Sequence, residues 1–336
     1  MASQQENTHQ PLVLVTGAGG FVGSVLVDTL LSRGARVRAM VHSRARQGNL
    51  AGKPVEVVEA DLSDLESLRR AVAGVQQVYH IASIFRQAGL PESVFHDVNA
   101  TGTARLLDAC IEAGVQRVIH CSTVGVLGHI DHPPADETTP FNPGDMYQRS
   151  KMEGEKIALS YFREGKMRGV VIRPAMIYGP GDERTLKMFR MIAHRRFFFV
   201  GPGKALVHFI DVRDLARAFI LAMEKTELNG EVYIVAGPRA LPLVELVGII
   251  ARELGVPPLR LHLPVRPMQM LGSLCEAVCT PFRIQPPIFR RRVDFYTKNR
   301  AFDCRKALRD LGYSPAQPLE QEIKDIIADY RKRSWL

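Results

Sequence analysis

The sequence predicts an α/β fold, a doubly wound parallel sheet with a smaller C-terminal lobe. Three observations carry that prediction. Short apolar runs alternate with helix-spaced apolar patterns from Leu12 to about Ala236, the rhythm of a parallel sheet covered by helices on both faces. A glycine-rich turn, Thr16-Gly17-Ala18-Gly19-Gly20-Phe21-Val22-Gly23, joins the first run to the first helical pattern. The remaining third, from about Arg239, lies outside that alternation and suits an appended lobe, for which 336 residues leave room.

Taken in order, Leu12-Val13-Leu14-Val15 reads as the first strand, Val22, Val25, Leu26 and Leu30 as the buried face of the first helix, and Val37 to Val41 as the second strand. Gly34 is expected to close the helix. Gly17 suits a tight strand-to-helix turn, Gly20 leaves a pyrophosphate free to approach the main chain, and Gly23 lets the helix pack closely. The amides that open the helix at Phe21 and Val22 then face an anion, which the helix dipole favours. The unit is therefore read as a dinucleotide cradle.

The second strand ends in Val41-His42-Ser43-Arg44 with no acid to hold ribose hydroxyls, so NADP is expected over NAD, with Arg44 as the phosphate partner and His42 or Ser43 assisting. A third strand, Val55 to Ala60, is closed by Asp61-Leu62, where Asp61 could also cap a helix over Leu65 to Val72. Val75 to His80 is the next strand and runs into Ile81-Ala82-Ser83. Asp97 to Thr103 is expected to open a helix carrying Leu106, Leu107 and Ile111, ended by Gly114 before a strand at Gln116 to Cys121.

Chemistry-bearing residues follow that strand. Ser122 or Thr123 offers a hydroxyl to a substrate oxygen, and Tyr147 and Lys151, four apart, share one helix face. A nearby ammonium favours the phenolate of a tyrosine whose free pKa is about 10, which readies it to exchange a proton. Another strand, Val170 to Ile172, ends in Arg173-Pro174-Ala175-Met176-Ile177-Tyr178-Gly179-Pro180-Gly181-Asp182.

The Thr-Gly-x-x-Gly-x-x-Gly turn, the Tyr147–Lys151 pair and the run from Arg173 to Asp182, in that order, resemble the extended short-chain dehydrogenase/reductase superfamily. The run after Arg173 looks most like the 3β-hydroxysteroid dehydrogenase and dihydroflavonol reductase branch, since sugar-nucleotide epimerases usually carry Tyr, Phe and Asn there. The resemblance implies a Rossmann-type fold and reversible hydride transfer between NADP, or NAD, and a secondary alcohol or ketone on an apolar substrate. It implies catalytic roles for Thr123, Tyr147 and Lys151, with Thr123 preferred to Ser122 when Val126-Leu127-Gly128 is matched to the usual Val-Tyr-Gly. It also implies that Asp61 and Leu62 lie against adenine, Ile81, Ala82 and Ser83 along ribose and nicotinamide, and Pro174 and Ile177 beside nicotinamide. Asn99 is expected to brace the central strands, and a homodimer to form through the helices carrying the tyrosine. Two other readings remain: an NDP-sugar epimerase or dehydratase with retained cofactor, and a non-enzymatic NADP-sensing protein.

Residues 1–11 are expected to be a flexible tail, 12–184 and 207–238 the dinucleotide-binding domain, and 185–206 with 239–336 the substrate-binding lobe. In that part of the chain, Met188, Ile192 and Phe197-Phe198-Phe199 are read as an apolar helix and wall, His208 as a packed or solvent-facing histidine in preference to a substrate contact, and Leu241 to Leu254 as a helix capped by Gly255. Residues 264–292, rich in Met, Leu and Phe and ending in Arg290-Arg291-Arg292, are read first as a pocket wall and second as an amphipathic face for an anionic membrane. The net charge of +9 and pI near 9.5 raise nucleic acid as a partner, but the basic residues are mostly scattered among acids and no recognition motif accompanies them, so none is expected. No metal is expected either, because the five cysteines lack ligand spacing; a reducing cytoplasmic compartment fits them best.

Overall fold

The computed structural model describes residues 10–85, 89–279 and 290–336. β1 (Leu12–Thr16) is buried along its whole length, as a central strand covered on both faces must be. The glycine turn leads into α1 (Phe21–Ser32), which buries Leu26, Val27 and Leu30 and is followed by Gly34 at φ 79°. β2 (Arg36–Val41), β3 (Glu56–Glu59), α2 (Leu65–Val72) and β4 (Gln77–His80) come next. Asp64, not Asp61, caps α2, its carboxylate accepting the Glu66 amide at 3.0 Å. Asp61 instead accepts the amide and hydroxyl of Ser63, both at 2.8 Å, in the local turn that a short carboxylate favours.

The helix expected at Asp97 starts earlier. α3 (Glu92–His96) passes through a π turn at Asp97–Thr101 into α4 (Gly102–Glu112). Polar Glu92, Ser93 and His96 hide that first turn from apolar periodicity, and Phe95 alone is its buried anchor. β5 (Arg117–Cys121), α5 (Met146–Arg163), β6 (Gly169–Pro174), β7 (Met176–Tyr178), α6 (Glu183–Ala193), β8 (Phe199–Val200), β9 (Leu206–Val207), β10 (Phe209–Asp211), α7 (Val212–Glu224) and β11 (Val232–Val235) complete this part of the chain.

The main sheet has seven strands in the order β11-β6-β5-β4-β1-β2-β3, all pairs parallel. Val13, Val15, Ile119 and Phe219 belong to the core on one face, with α1 and α7; Leu14, Val78, Leu106 and Phe162 belong to the other, with α2, α4 and α5. Strand order reverses between β4 and β1, so the loops leaving their carboxyl ends diverge and open a crevice.

The last third contributes β12 (Leu241–Pro242), α8 (Leu243–Leu254), β13 (His262–Leu263), α9 (Val265–Cys279), α10 (Arg290–Thr297), α11 (Arg305–Leu311) and α12 (Leu319–Lys332). α8 starts two residues later than its apolar pattern suggests, because Leu241 and extended Pro242 pair with β9. A third core, including Phe189, Phe199, Leu246, Ile250, Ile326 and Tyr330, joins α6, α8 and α12. Phe282, Ile284, Ile288 and Phe289, read above as part of a pocket wall, lie outside the described residues.

Candidate active site

The carboxyl ends of β1, β4, β5 and β6 open on a cavity of about 1980 Å³. The glycine turn forms one end. Gly17 sits at φ 68°, a conformation side chains resist, and a Cβ on Gly23 would lie 2.2 Å from the Gly17 carbonyl oxygen, so α1 docks on the turn itself as well as on the strands. Gly20 is the N-cap of α1 with no side-chain cap, and no acid occupies the first turn. Bare amides and a positive dipole end thus face the cavity, the arrangement a dinucleotide's phosphates need.

Thr16 fixes the adjoining wall. Its Oγ1 accepts the Ile81 and Ala82 amides at 3.0 Å each and pairs with His80 Nδ1 at 3.0 Å, while His80 Nε2 meets Thr103 Oγ1 at 3.1 Å. Burial, aided by the charge of Lys151, pushes the His80 pKa down to about 3, so this imidazole is a neutral strut. Ile81, Ala82 and Ser83 are held along the cavity. Asn99 braces the next segment: its side chain exchanges hydrogen bonds of 2.8 and 3.1 Å with the Ile84 main chain and reaches Ser150 Oγ at 3.0 Å on α5.

α5 carries Tyr147 and Lys151. Asp145 caps the helix by accepting the Gln148 amide at 2.8 Å, which starts the helix where both residues face the cavity. Tyr147 packs edge-on against Phe85, ring centroids 5.0 Å apart. Lys151 is buried and donates to the Cys121 carbonyl at 2.7 Å. Desolvation lowers its pKa, and burial raises the Cys121 thiol to about 11, so the lysine has no thiolate beside it.

The two candidate hydroxyls have different partners. Ser122 Oγ donates to Glu155 at 2.5 Å, and Glu155 is fully buried in a bidentate pair with Arg173, closest contact 2.6 Å. Thr123 Oγ1 accepts the Gly125 amide at 3.0 Å, an arrangement that uses its lone pair and leaves its proton for the cavity it borders.

Residues 13–236 match the NAD dependent epimerase/dehydratase family. The chain belongs to that family. Among its relatives, "Sterol demethylase protein B" of Methylococcus capsulatus is 31% identical, covering 96% of this chain and 99% of that protein. The "3-beta-hydroxysteroid dehydrogenase" of Mycolicibacterium neoaurum is also 31% identical, covering 95% and 91%. A dTDP-glucose 4,6-dehydratase from Streptomyces venezuelae, solved with NAD bound, superposes with a TM-score of 0.75 at 25% identity over 96% of this chain and 98% of that one.

An epimerase/dehydratase-family protein is an enzyme of nicotinamide chemistry, and the residues present fit a dinucleotide: the cradle at Gly17, Gly20 and Gly23 has no side chain to fill it. The structure also brings Phe21, Val22, His42, Pro174 and Ile177 to the same cavity as Thr123, Tyr147 and Lys151. Arg44, Asp61 and Leu62 do not border it. Arg44 is exposed in a short turn capped by Ser43, and Leu62 is buried in the core beneath α4. Asp61 stands one residue away from the wall, its Oδ2 3.1 Å from His42 Nδ1. Partial burial raises the Asp61 pKa, but the Ser63 hydrogen bonds, with His42 and Arg105, outweigh that and hold it low.

On the lobe side the cavity is bordered by an apolar wall of Met188, Met191, Phe197, Phe198, Phe295 and Tyr296, with Lys187, Lys298 and Arg300 also on its border. Phe199 turns away into the lobe core and stacks on His262 at 4.7 Å. His208 is packed, taking the Phe302 amide on Nδ1 at 3.3 Å and meeting the Gly237 carbonyl through Nε2 at 3.1 Å. Sequence reasoning missed Glu155, although its place four residues after Lys151 on α5 was a readable signal. It also missed Arg184, which lies over the Phe21 ring at 5.1 Å, and Phe85, neither of which has a local pattern to announce it.

Proposed function

We propose that this enzyme transfers a hydride, reversibly, between NADP(H) and a secondary alcohol or ketone on an apolar body of the steroid, terpenoid or flavonoid kind. The observation that carries the reading is one cavity that runs from a bare glycine cradle past Tyr147, Lys151 and Thr123 into a wall of methionines and aromatics. The names of the two relatives, a sterol demethylase protein and a 3-beta-hydroxysteroid dehydrogenase, point to the same substrate class.

A bound nicotinamide supplies the hydride chemistry. The chain supplies the rest. Tyr147 gives its hydroxyl proton to the carbonyl oxygen in reduction and takes it back in oxidation; the Lys151 ammonium favours the phenolate and holds ribose; Thr123 donates to the substrate oxygen and fixes its carbon in place. An apolar substrate body seated against the methionine and aromatic wall would displace water from around that oxygen, where each of these hydrogen bonds then counts for more. Arg44 and His42, at the end of β2, are assigned to the 2′-phosphate, and Asp61, Leu62, Ile81, Ala82, Ser83, Pro174 and Ile177 to the adenosine and nicotinamide ends. Residues 12–184 and 207–238 would hold the cofactor, and 185–206 with 239–336 the substrate. The chain would act as a homodimer in the cytoplasm.

A second reading, an NDP-sugar epimerase or dehydratase, is favoured by Lys298 and Arg300, which border the cavity and suit a diphosphate. The experiment is a titration of purified protein with NADPH and NADH, then with apolar ketones and sugar nucleotides, following nicotinamide absorbance. Stoichiometric oxidation with a ketone supports the reductase, and conversion of a sugar nucleotide without net oxidation replaces it. Tyr147→Phe should lower turnover by about 10² to 10⁴ with cofactor binding retained; unchanged turnover sinks the assignment.

A further inference from the structure

We propose that the outer face of α9 is a docking surface for an anionic lipid bilayer, and that the helix carrying it forms the wall between that bilayer and the substrate cavity. Among the described residues, four of the nine large exposed apolar side chains lie here, including the two most exposed of the nine: Met270 is 73% exposed, Leu274 62% and Leu271 42%, with Leu261 at 57% just before the helix. On α9, Arg266, Met270 and Leu274 are four apart and form one stripe, with Leu271 beside it. Met268 and Gln269 of the same helix border the cavity instead. α9 is therefore apolar on two sides, and among the described residues only the side toward the cavity is covered by protein.

Charge decides what covers the other. Several exposed arginines of this protein are tied up in ion pairs, among them Arg33, Arg69, Arg149, Arg239 and Arg333. Arg260 and Arg266, at the two ends of the β13 segment leading into α9, are exposed, and their side chains make neither a hydrogen bond nor an ion pair among the described residues. α10, which packs against α9, opens with Arg290-Arg291-Arg292 in the sequence. Unpaired guanidinium groups beside exposed methionine and leucine match a surface that is anionic at its headgroups and apolar just below. A protein partner with an apolar patch would need acids placed to meet each arginine, whereas a bilayer supplies mobile anions to any arrangement. No helix among the described residues is long and apolar enough to cross a membrane, so the contact is peripheral. Its consequence rests on the apolar-substrate reading above: a molecule dissolved in the bilayer would meet the enzyme at the wall of its own cavity.

The test is co-sedimentation of the full chain with phosphatidylcholine vesicles and with vesicles that also carry phosphatidylglycerol, at low and high salt. Binding to the anionic vesicles, weakened by salt, is expected. Met270→Ser/Leu271→Ser/Leu274→Ser should lower it at least about tenfold by removing the buried apolar area. Arg266→Glu, an exposed change that leaves the apolar stripe intact and covers the case in which the triple variant fails to fold, should lower it at least about fivefold on anionic vesicles only. NADPH affinity and the thermal midpoint, measured without lipid, should not change in either variant. Wild-type protein that ignores anionic vesicles overturns the proposal, as does binding that neither variant weakens. So does a dimer that forms without lipid and is abolished by the serine variant, because a second copy would then be the occupant. None of these readouts needs catalysis, so failure of the ketone assay and failure of vesicle binding are separate results.

Discussion

Ser122 and Thr123 stand side by side after β5, and exchanging each for alanine should separate a structural hydroxyl from a catalytic one. Ser122 Oγ donates at 2.5 Å to the buried carboxylate of Glu155, which is also ion-paired with Arg173. A hydrogen bond to a charged group is worth about 1.5–3 kcal/mol, and the loss falls on a carboxylate that water cannot reach. For 336 residues the unfolding entropy is about 0.7 kcal/mol/K, so a loss near 2 kcal/mol lowers the thermal midpoint by about 3 °C. Ser122→Ala should show that shift with little change in kcat. Thr123→Ala should do the reverse. Its backbone-capping bond to Gly125 is replaceable by the solvent of the cavity, whereas losing a donor aimed at the substrate oxygen costs about 10² to 10³ in kcat. Differential scanning calorimetry and NADPH-coupled turnover on both variants decide the matter. A large loss of kcat in Ser122→Ala with Thr123→Ala fully active would refute the reasoning, and with it the view that Glu155 removes Ser122 from the chemistry.

Two further outcomes are expected. Glu322 lies buried on α12, accepting the Tyr178 hydroxyl through Oε2, with no partner for Oε1 among the described residues, and burial raises its pKa from the usual 4.5 to about 8. Folding therefore favours its protonated form, a contribution present in full below about pH 4.5 and lost as pH rises through about 8, on the order of a few kcal/mol. Glu322→Gln cannot titrate, so its thermal midpoint should exceed the wild type's increasingly between pH 5 and 8; parallel curves would show that Glu322 ionises freely. At the adenosine end, Arg44→Ala should weaken NADPH about tenfold or more while leaving NADH unchanged, since a charge-assisted bond to one phosphate is removed; equal effects on both cofactors would show that Arg44 does not read the phosphate.

The sequence alone determined what depends on local physics. Gly17 and Gly23 announced a tight strand-to-helix turn because its backbone conformation and close approach leave no room for a Cβ at either position, and the alternation of apolar runs specified a parallel sheet because both faces of the sheet are covered. Tyr147 and Lys151 were legible as a pair because helix geometry sets their spacing. Tertiary structure decided what depends on contacts between distant segments. That Ser122 belongs to Glu155 and Arg173 needed α5 and β6 to meet behind β5; that His208 is packed needed Phe302 and Gly237 to arrive on either side of it. α9 could be read from its composition as a pocket wall or a membrane face, and only burial separated Met268, against the cavity, from Met270 and Leu274, against solvent. Apolar residues on two sides of one helix give the same composition whichever side is covered, so the choice lay in the packing and not in the pattern.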